Sequence, residues 1–226
     1  MSYPDLKMKI TEQTEKALKV KLGSVSATLM EQYGGLVMEW NQKINLISRQ
    51  NAEKTMAGHI TDSLAALSLL DEAATSSPVP MNVMDLGSGG GFPGFPLKIC
   101  RSGIHLTCVE ATQKKAKFLE LAAKELDLQN VTVVPRHSQE LVKDKEHLNK
   151  YDIVLCRAVA ELKELVKSSF PFLRPGGLLL AFKAQKAEQE IMEAQKEMAK
   201  QHMQVKIVKE YVVDGKTRQI IELEKQ

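Results

Sequence analysis

The stretch Val83–Leu97, VMDLGSGGGFPGFPL, decides how the rest of the chain is read. An apolar run ends on Asp85, five glycines fall within residues 87–94, and Pro93 and Pro96 follow. Each glycine gives up much backbone freedom on folding, so such a cluster has a use only where the backbone itself must approach something closely. Asn82–Leu86 reads as a strand, the glycines as a tight turn, and the segment from about Pro93 as a helix. Proline is tolerated in a first helical turn, where the amides lack helix partners anyway. Strand, glycine turn and helix in that order build the small-molecule crevice of a doubly wound α/β sheet.

The flanking sequence agrees. Short β-branched runs at 104–110, 131–135, 152–156 and 177–183 alternate with helical segments at 114–126 and 162–170. That alternation predicts a parallel sheet with helices on both faces. A helix over 186–202 is followed by two alternating runs around Asp214-Gly215, a hairpin signal, so the sheet is expected to finish antiparallel. Before the glycine loop, Leu29, Tyr33, Leu36, Val37, Trp40 and Ile44 form one helical stripe, and Ile60, Leu64, Leu67 and Leu70 form another. ATSSPVP (74–80) reads as a linker. The expected architecture is α/β: a doubly wound, mostly parallel, seven-stranded Rossmann-like sheet over 79–226, preceded by a helical region over 1–78.

The 226 residues are 43% hydrophobic and 26% charged, an ordinary globular composition. Residues 81–226 carry 23 basic against 19 acidic side chains, which permits an RNA or phosphate partner without arguing for one. Cys100, Cys108 and Cys156 form no close pair, and two lie in apolar runs. They read as reduced, buried thiols, and no His/Cys cluster offers a zinc site. The beginning, MSYPDLKMKI, lacks the apolar core of a signal peptide. No run approaches the ~18 apolar residues of a membrane span. A cytoplasmic protein without membrane attachment is expected.

Gly89-x-Gly91-x-x-Gly94 formally matches a dinucleotide loop, but two features oppose NAD. Pro93 and Pro96 remove donors from the helix end that holds a pyrophosphate, and Asp85 places a carboxylate where a pyrophosphate would be repelled. A cationic ligand suits that acid. S-adenosylmethionine carries a sulfonium and an ammonium and is the expected cofactor. Glu110 ends the second strand, where an acid accepts hydrogen bonds from both ribose hydroxyls. Taken singly, Asp85 and Glu110 also read as surface or helix-capping acids; their occurrence at successive strand ends favours the ligand.

MDLGSGGGFPGFPL closely resembles the glycine motif of the glucose-inhibited division protein B family. WNQKINLIS (40–48), HITDSL (59–64), VEATQKKAKFL (109–119), CRAVAEL (156–162) and RPGGLLLAFK (174–183) extend the likeness from about residue 30 to the hairpin. The resemblance implies a class I methyltransferase fold and S-adenosylmethionine-dependent transfer to a guanine N7 of 16S ribosomal RNA in the small ribosomal subunit. It implies cofactor contacts at Gly87, Phe92 and Glu110, an adenine-side segment at His137, Ser138 and Gln139, and a functional arginine at Arg157. Asp85 and Gly89 join this set from the loop chemistry. PRHSQEL (135–141) departs from the family's Arg-Ala-Glu pattern, and Ala184 stands where a glycine usually follows the lysine. A monomer that does not bind DNA is expected.

Guanine N7 has an exposed lone pair, so its methylation needs alignment rather than a base. The strand-four exit CRAVAE lacks the Asn/Asp-Pro-Pro-aromatic segment of amino-group methyltransferases, and Cys156, with no preceding proline, reads as core. Arg157 either orients the substrate, through guanine O6 or a phosphate, or pairs on the surface with Glu161 or Glu164. Trp40 belongs to the apolar stripe. Asn41 and Asn45, four apart, fall on one helix face. Asn45, His59 and Lys183 are candidate RNA-side residues; Asn45 equally reads as a helix terminator, His59 as a residue opening its helix, and Lys183 as a solvated lysine. Lys114, Lys115 and Lys117 read as a solvated helix start. A small-molecule methyltransferase and a non-catalytic nucleotide-binding assembly module remain as alternative functions.

Overall fold

In the computed structural model the described residues are 4–48, 52–75, 80–157, 160–184 and 186–226. Seven strands form one sheet in the order β3-β2-β1-β4-β5-β7-β6. β1 (Asn82–Leu86) lies centrally, parallel to β2 (His105–Val109) and β4 (Tyr151–Arg157). β3 (Val131–Val134) and β5 (Leu173–Lys183) extend the parallel part. β6 (Met203–Val213) and β7 (Lys216–Lys225) form the expected hairpin, and β7 inserts antiparallel between β5 and β6. Asp214 and Gly215 both hold positive φ, 54° and 70°, as a two-residue hairpin turn of matching twist requires. This is the Rossmann-like class I methyltransferase fold with an N-terminal helical extension.

Strand residues alternate between two buried faces, except where the register shifts between Tyr151 and Ile153 and between Val205 and Ile207. Val83, Ile153, Leu155, Leu178, Leu180 and Phe182 join one apolar cluster; Met84, Leu86, Val154, Cys156, Leu179 and Ala181 join the other. The first face is covered by α1 (Pro4–Leu18), α2 (Ser24–Asn41), α3 (Ala52–Leu64), α4 (Leu67–Ala74), α5 (Gly94–Cys100) and α6 (Gln113–Glu125). The second is covered by α7 (Ser138–Leu141), α8 (Leu162–Ser169) and α9 (Ala187–Lys200). Leu6, Ile10, Met30, Tyr33, Val37, Met56 and Ile60 sit in the same cluster as the sheet residues of the first face. Each fully buried side chain of this kind contributes about 1.5–3 kcal/mol, so the helical extension shares the core of the sheet. Most of the linker expected at 74–80 falls on residues 76–79, outside the described residues.

Two sequence expectations are corrected. α2 ends at Asn41, so Asn41 and Asn45 do not share a helix face. Asn41 is buried and its Oδ1 accepts from the amides of Leu46 and Ile47 at 2.9 and 3.1 Å, folding the chain back just after the helix. His59 does not open its helix; it lies in the middle of α3. The short helix α7 carries no apolar periodicity of its own, and no helix was expected there.

Candidate active site

The glycine loop is built from backbone contacts. The amides of Gly87 and Ser88 both donate to the carbonyl of Val109, at 2.9 and 3.1 Å, and the amides of Gly91 and Phe92 donate to that of Ser88. Gly87, Gly89 and Gly91 hold φ of 80°, 57° and 94°, which L side chains rarely adopt. Gly91 is also sterically required: a Cβ there would lie 2.8 Å from the Tyr33 hydroxyl oxygen and 3.0 Å from Phe95. Gly89 differs. The nearest protein atom to a Cβ at that position is a backbone oxygen 3.9 Å away, so the space beside it is open. Tyr33 reaches across from α2 and donates to the carbonyl of Gly90 at 2.6 Å, tying the helical extension to the loop.

Glu110 closes the other side. Its Oε2 accepts from the Gly89 amide and its Oε1 from the Thr112 amide, each at 2.8 Å. A carboxylate offers about four lone-pair positions, so two remain for ligand hydroxyls. Beyond it a cleft of about 370 Å³, within the range of small-molecule sites, is lined by Gly87, Ala111, His137, Ser138 and Gln139 over an apolar floor that includes Leu86, Val109 and Leu165. The structure thus gathers the 137–139 segment and the first loop glycine in one place.

Asp85 lies beneath the loop, fully buried on the face of the helical extension. Its Oδ2 accepts from the Gly94 amide at 2.9 Å, while Oδ1 has no partner. Burial pushes its carboxyl up to about 7, against the opposing pull of the Gly94 amide and Arg157. The carboxyl is therefore less readily ionised than an ordinary aspartate, which weakens the negative charge on which the sequence reading relied. The open space beside Gly89 and the lone pairs that Glu110 has left, next to the cleft at His137–Gln139, fit a ligand rich in N–H and O–H donors, and S-adenosylmethionine is one. The unfolded carboxyl titrates near 3.8, so between that value and about 7 the unfolded chain holds fewer protons, and stability falls as pH rises through this window. Asp85→Asn preserves an acceptor for Gly94 and removes the titration. Urea midpoints should show the variant gaining on the wild type from pH 4 to pH 8; a difference constant with pH refutes this.

Arg157 leaves β4 on the same face as Asp85 and meets α3. Its Nη1 donates to Asp62 Oδ2 and to the His59 carbonyl, both at 3.2 Å, and Nη2 lies 3.3 Å from His59 Nδ1. The guanidinium stacks 5.0 Å from the centroid of Phe92. The alternative reading, a surface pairing with Glu161 or Glu164, is not what forms: the partner is Asp62, and Glu164 lines the cleft instead. Burial, then Arg157, pushes His59 down to about 4, so its imidazole is neutral at physiological pH. Asn45 is exposed in the turn after α2, next to Leu46, which packs on Gly90. Lys183 is neither solvated nor turned to an open path. Its ammonium binds Glu190 Oε2 and the Ala160 carbonyl, both at 2.6 Å, with the side chain 8% exposed. Trp40 packs against Phe118 on α6, 5.8 Å between centroids. Tyr33, as a partner of the glycine loop, and Asp62, as a partner of Arg157, are the contacts that sequence reasoning missed. Asp62 lies three positions after His59, the spacing that puts two side chains on one helix face.

Comparison with known proteins adds the family. The family model described as rRNA small subunit methyltransferase G (GidB) matches residues 26–221. The Ribosomal RNA small subunit methyltransferase G of Streptococcus agalactiae is 36% identical over 181 residues, covering 80% of this chain and 75% of that protein. That of Desulfitobacterium hafniense is 33% identical over 214 residues, covering 94% and 86%. Among solved structures, the magnesium protoporphyrin IX methyltransferase of Synechocystis PCC 6803 with bound SAM superposes with a TM-score of 0.60 at 15% identity, covering 86% of this chain and 97% of that one. M. jannaschii TYW2 in complex with AdoMet gives 0.56 at 18%, covering 75% and 77%. These two likenesses concern the fold. The family match, spanning glycine loop, Glu110 and Arg157, shows that this chain belongs to the rRNA small subunit methyltransferase G family and is an S-adenosylmethionine-dependent methyltransferase.

Proposed function

We propose that the protein methylates N7 of one guanine in the 16S RNA of the small ribosomal subunit, acting as a cytoplasmic monomer. The observation that carries this reading is the family match over residues 26–221, and the Arg157 group agrees with it: among the described residues, the groups within hydrogen-bond reach of Arg157 are poor proton acceptors. The Arg157 guanidinium offers only donors, His59 is held far below the ordinary imidazole range, and both oxygens of Asp62 are engaged, one by Arg157 and one by Tyr211. Such a site serves an acceptor that is already nucleophilic, and guanine N7 is one. S-adenosylmethionine supplies an electrophilic methyl carbon on its sulfonium. Gly87 and Gly89 let the backbone approach that cofactor, Asp85 supports the loop from below, and Phe92 forms its flank. Glu110 takes the ribose hydroxyls, and His137, Ser138 and Gln139 bound the adenine end. Arg157 orients the guanine through O6 or the adjacent phosphate and leaves N7 free. Asn45 stands at the loop's outer rim on the RNA side.

The deciding experiment incubates the protein with tritiated donor and 30S particles lacking the modification, then maps the label. One labelled guanine N7 in 16S RNA is expected; label confined to a small molecule, or no transfer, overturns the proposal. Glu110→Ala should weaken donor binding by about 1–3 kcal/mol, because hydroxyls and two backbone amides lose their acceptor. Calorimetric titration checks this, and an unchanged Kd would show the acid serves the loop alone.

A further inference from the structure

We propose that Asp62 is a positioning residue for Arg157 and that Tyr211 locks Asp62 in place. The direction of the guanidinium is then set by α3 and the terminal hairpin, not by the strand that carries it. The inference rests on the reading of Arg157 as the residue that orients the substrate. An arginine side chain has several rotatable bonds and loses about 2 kcal/mol of rotamer entropy when fixed, so something must hold it. β4 ends at Arg157 and offers only the backbone. The restraint comes from α3: Asp62 Oδ2, the His59 carbonyl and His59 Nδ1 together take the Nη end of the fork. Phe92 supports the flat face. Among the described residues Nε–H has no partner, so the edge carrying it is the one left for a substrate oxygen.

Asp62 is itself restrained. Its second oxygen accepts from the Tyr211 hydroxyl at 2.7 Å, and Tyr211 is buried on β6 two positions before the end of that strand. The carboxylate cannot rotate without losing one of the two bonds. Asp62 and Arg157 side chains are 17% and 13% exposed, so the pair is largely shielded from solvent, where an exposed pair would count for little. Burial and the neighbouring Asp62 charge raise Tyr211 far above its ordinary value, which keeps the hydroxyl a donor at every working pH. A chain of three side chains therefore runs from the hairpin through α3 to the exit of β4.

The test compares Tyr211→Phe, which deletes one oxygen and keeps the ring, with Asp62→Asn. For each, single-turnover methylation of 30S particles is measured at saturating donor and substrate, alongside donor affinity and thermal melting. Tyr211→Phe should slow transfer about tenfold with donor affinity and melting unchanged, and Asp62→Asn should slow it further. In an Arg157→Ala background neither change should slow transfer again, because the group they aim is gone. An active wild type with both variants at its rate overturns the proposal, as do losses that persist undiminished in the Arg157→Ala background. Should Asp62→Asn fail to fold, Tyr211→Phe decides alone. A wild type that transfers no methyl to RNA overturns the functional reading and this inference with it.

Discussion

Replacing Gly89 with valine is expected to abolish S-adenosylmethionine binding, at least a hundredfold in Kd, while the far-ultraviolet spectrum stays that of the wild type. Two effects act together. The φ of 57° is costly for any residue with a Cβ, about 1–2 kcal/mol, and worse for a β-branched one. The new methyl groups also point into the open space beside the loop, where only a backbone oxygen lies within 4 Å. Nothing in the protein is displaced, so the cost falls on whatever occupies that space. The loop's anchors, Val109, Glu110 and Tyr33, bind main-chain atoms and survive the change. Calorimetry and circular dichroism on one preparation check the expectation. Near-normal binding would mean the glycine serves only the turn.

Arg157→Ala is expected to slow methyl transfer about a hundredfold while raising the donor Kd by much less. A misplaced substrate costs that order in rate, and loss of a contact made in the transition state appears in kcat. Some loss of donor affinity is expected too, since the guanidinium lies over Phe92 of the donor loop. Arg157→Lys should rescue only part of the rate: an ammonium keeps the charge but cannot meet Asp62 and His59 at once with the same planar fork. Donor affinity and single-turnover rate on 30S particles must be measured together. Equal losses that saturating donor fully restores would make Arg157 a donor ligand only.

The fold was legible because its signals are local. β1 was read to the residue, and the Asp214-Gly215 turn announced the final hairpin through its demand for positive φ. The glycine loop was legible for the same reason, since it lies just beyond a strand whose apolar run can be seen, whereas the 137–139 segment was reached through the family resemblance and not through its own residues. The Arg157 surroundings were not legible. The pairing with Asp62 spans 95 positions and Tyr211 lies 149 positions from Asp62, and no periodicity encodes a contact at that range. Lys183 misled because a lysine at a strand tip usually meets water, whereas here Glu190 of the next helix turns back onto it and also accepts from the Leu162 amide. The helical region read as a separate stretch before a linker because its stripe says that it packs, not on what.

The insertion of β7 between β5 and β6 bears on how the protein is made. Synthesis runs from the N-terminus, so β5 leaves the ribosome with its outer edge unpaired, and the register that closes that edge pairs Leu178–Lys183 with residues as late as Glu224. Roughly 40 further residues must be added first, about 2–8 s at ordinary elongation rates. During that interval an edge rich in leucine, next to the helices that already press on its face, is open to any other extended chain. The bond network of Lys225, whose ammonium binds the carbonyls of Phe170 and Leu173 and the side chain of Asn149, then seals the seam from the far end. A ribosome stalled within β7 therefore leaves a nascent chain whose glycine loop is already synthesised but whose β5 edge has no strand to close it.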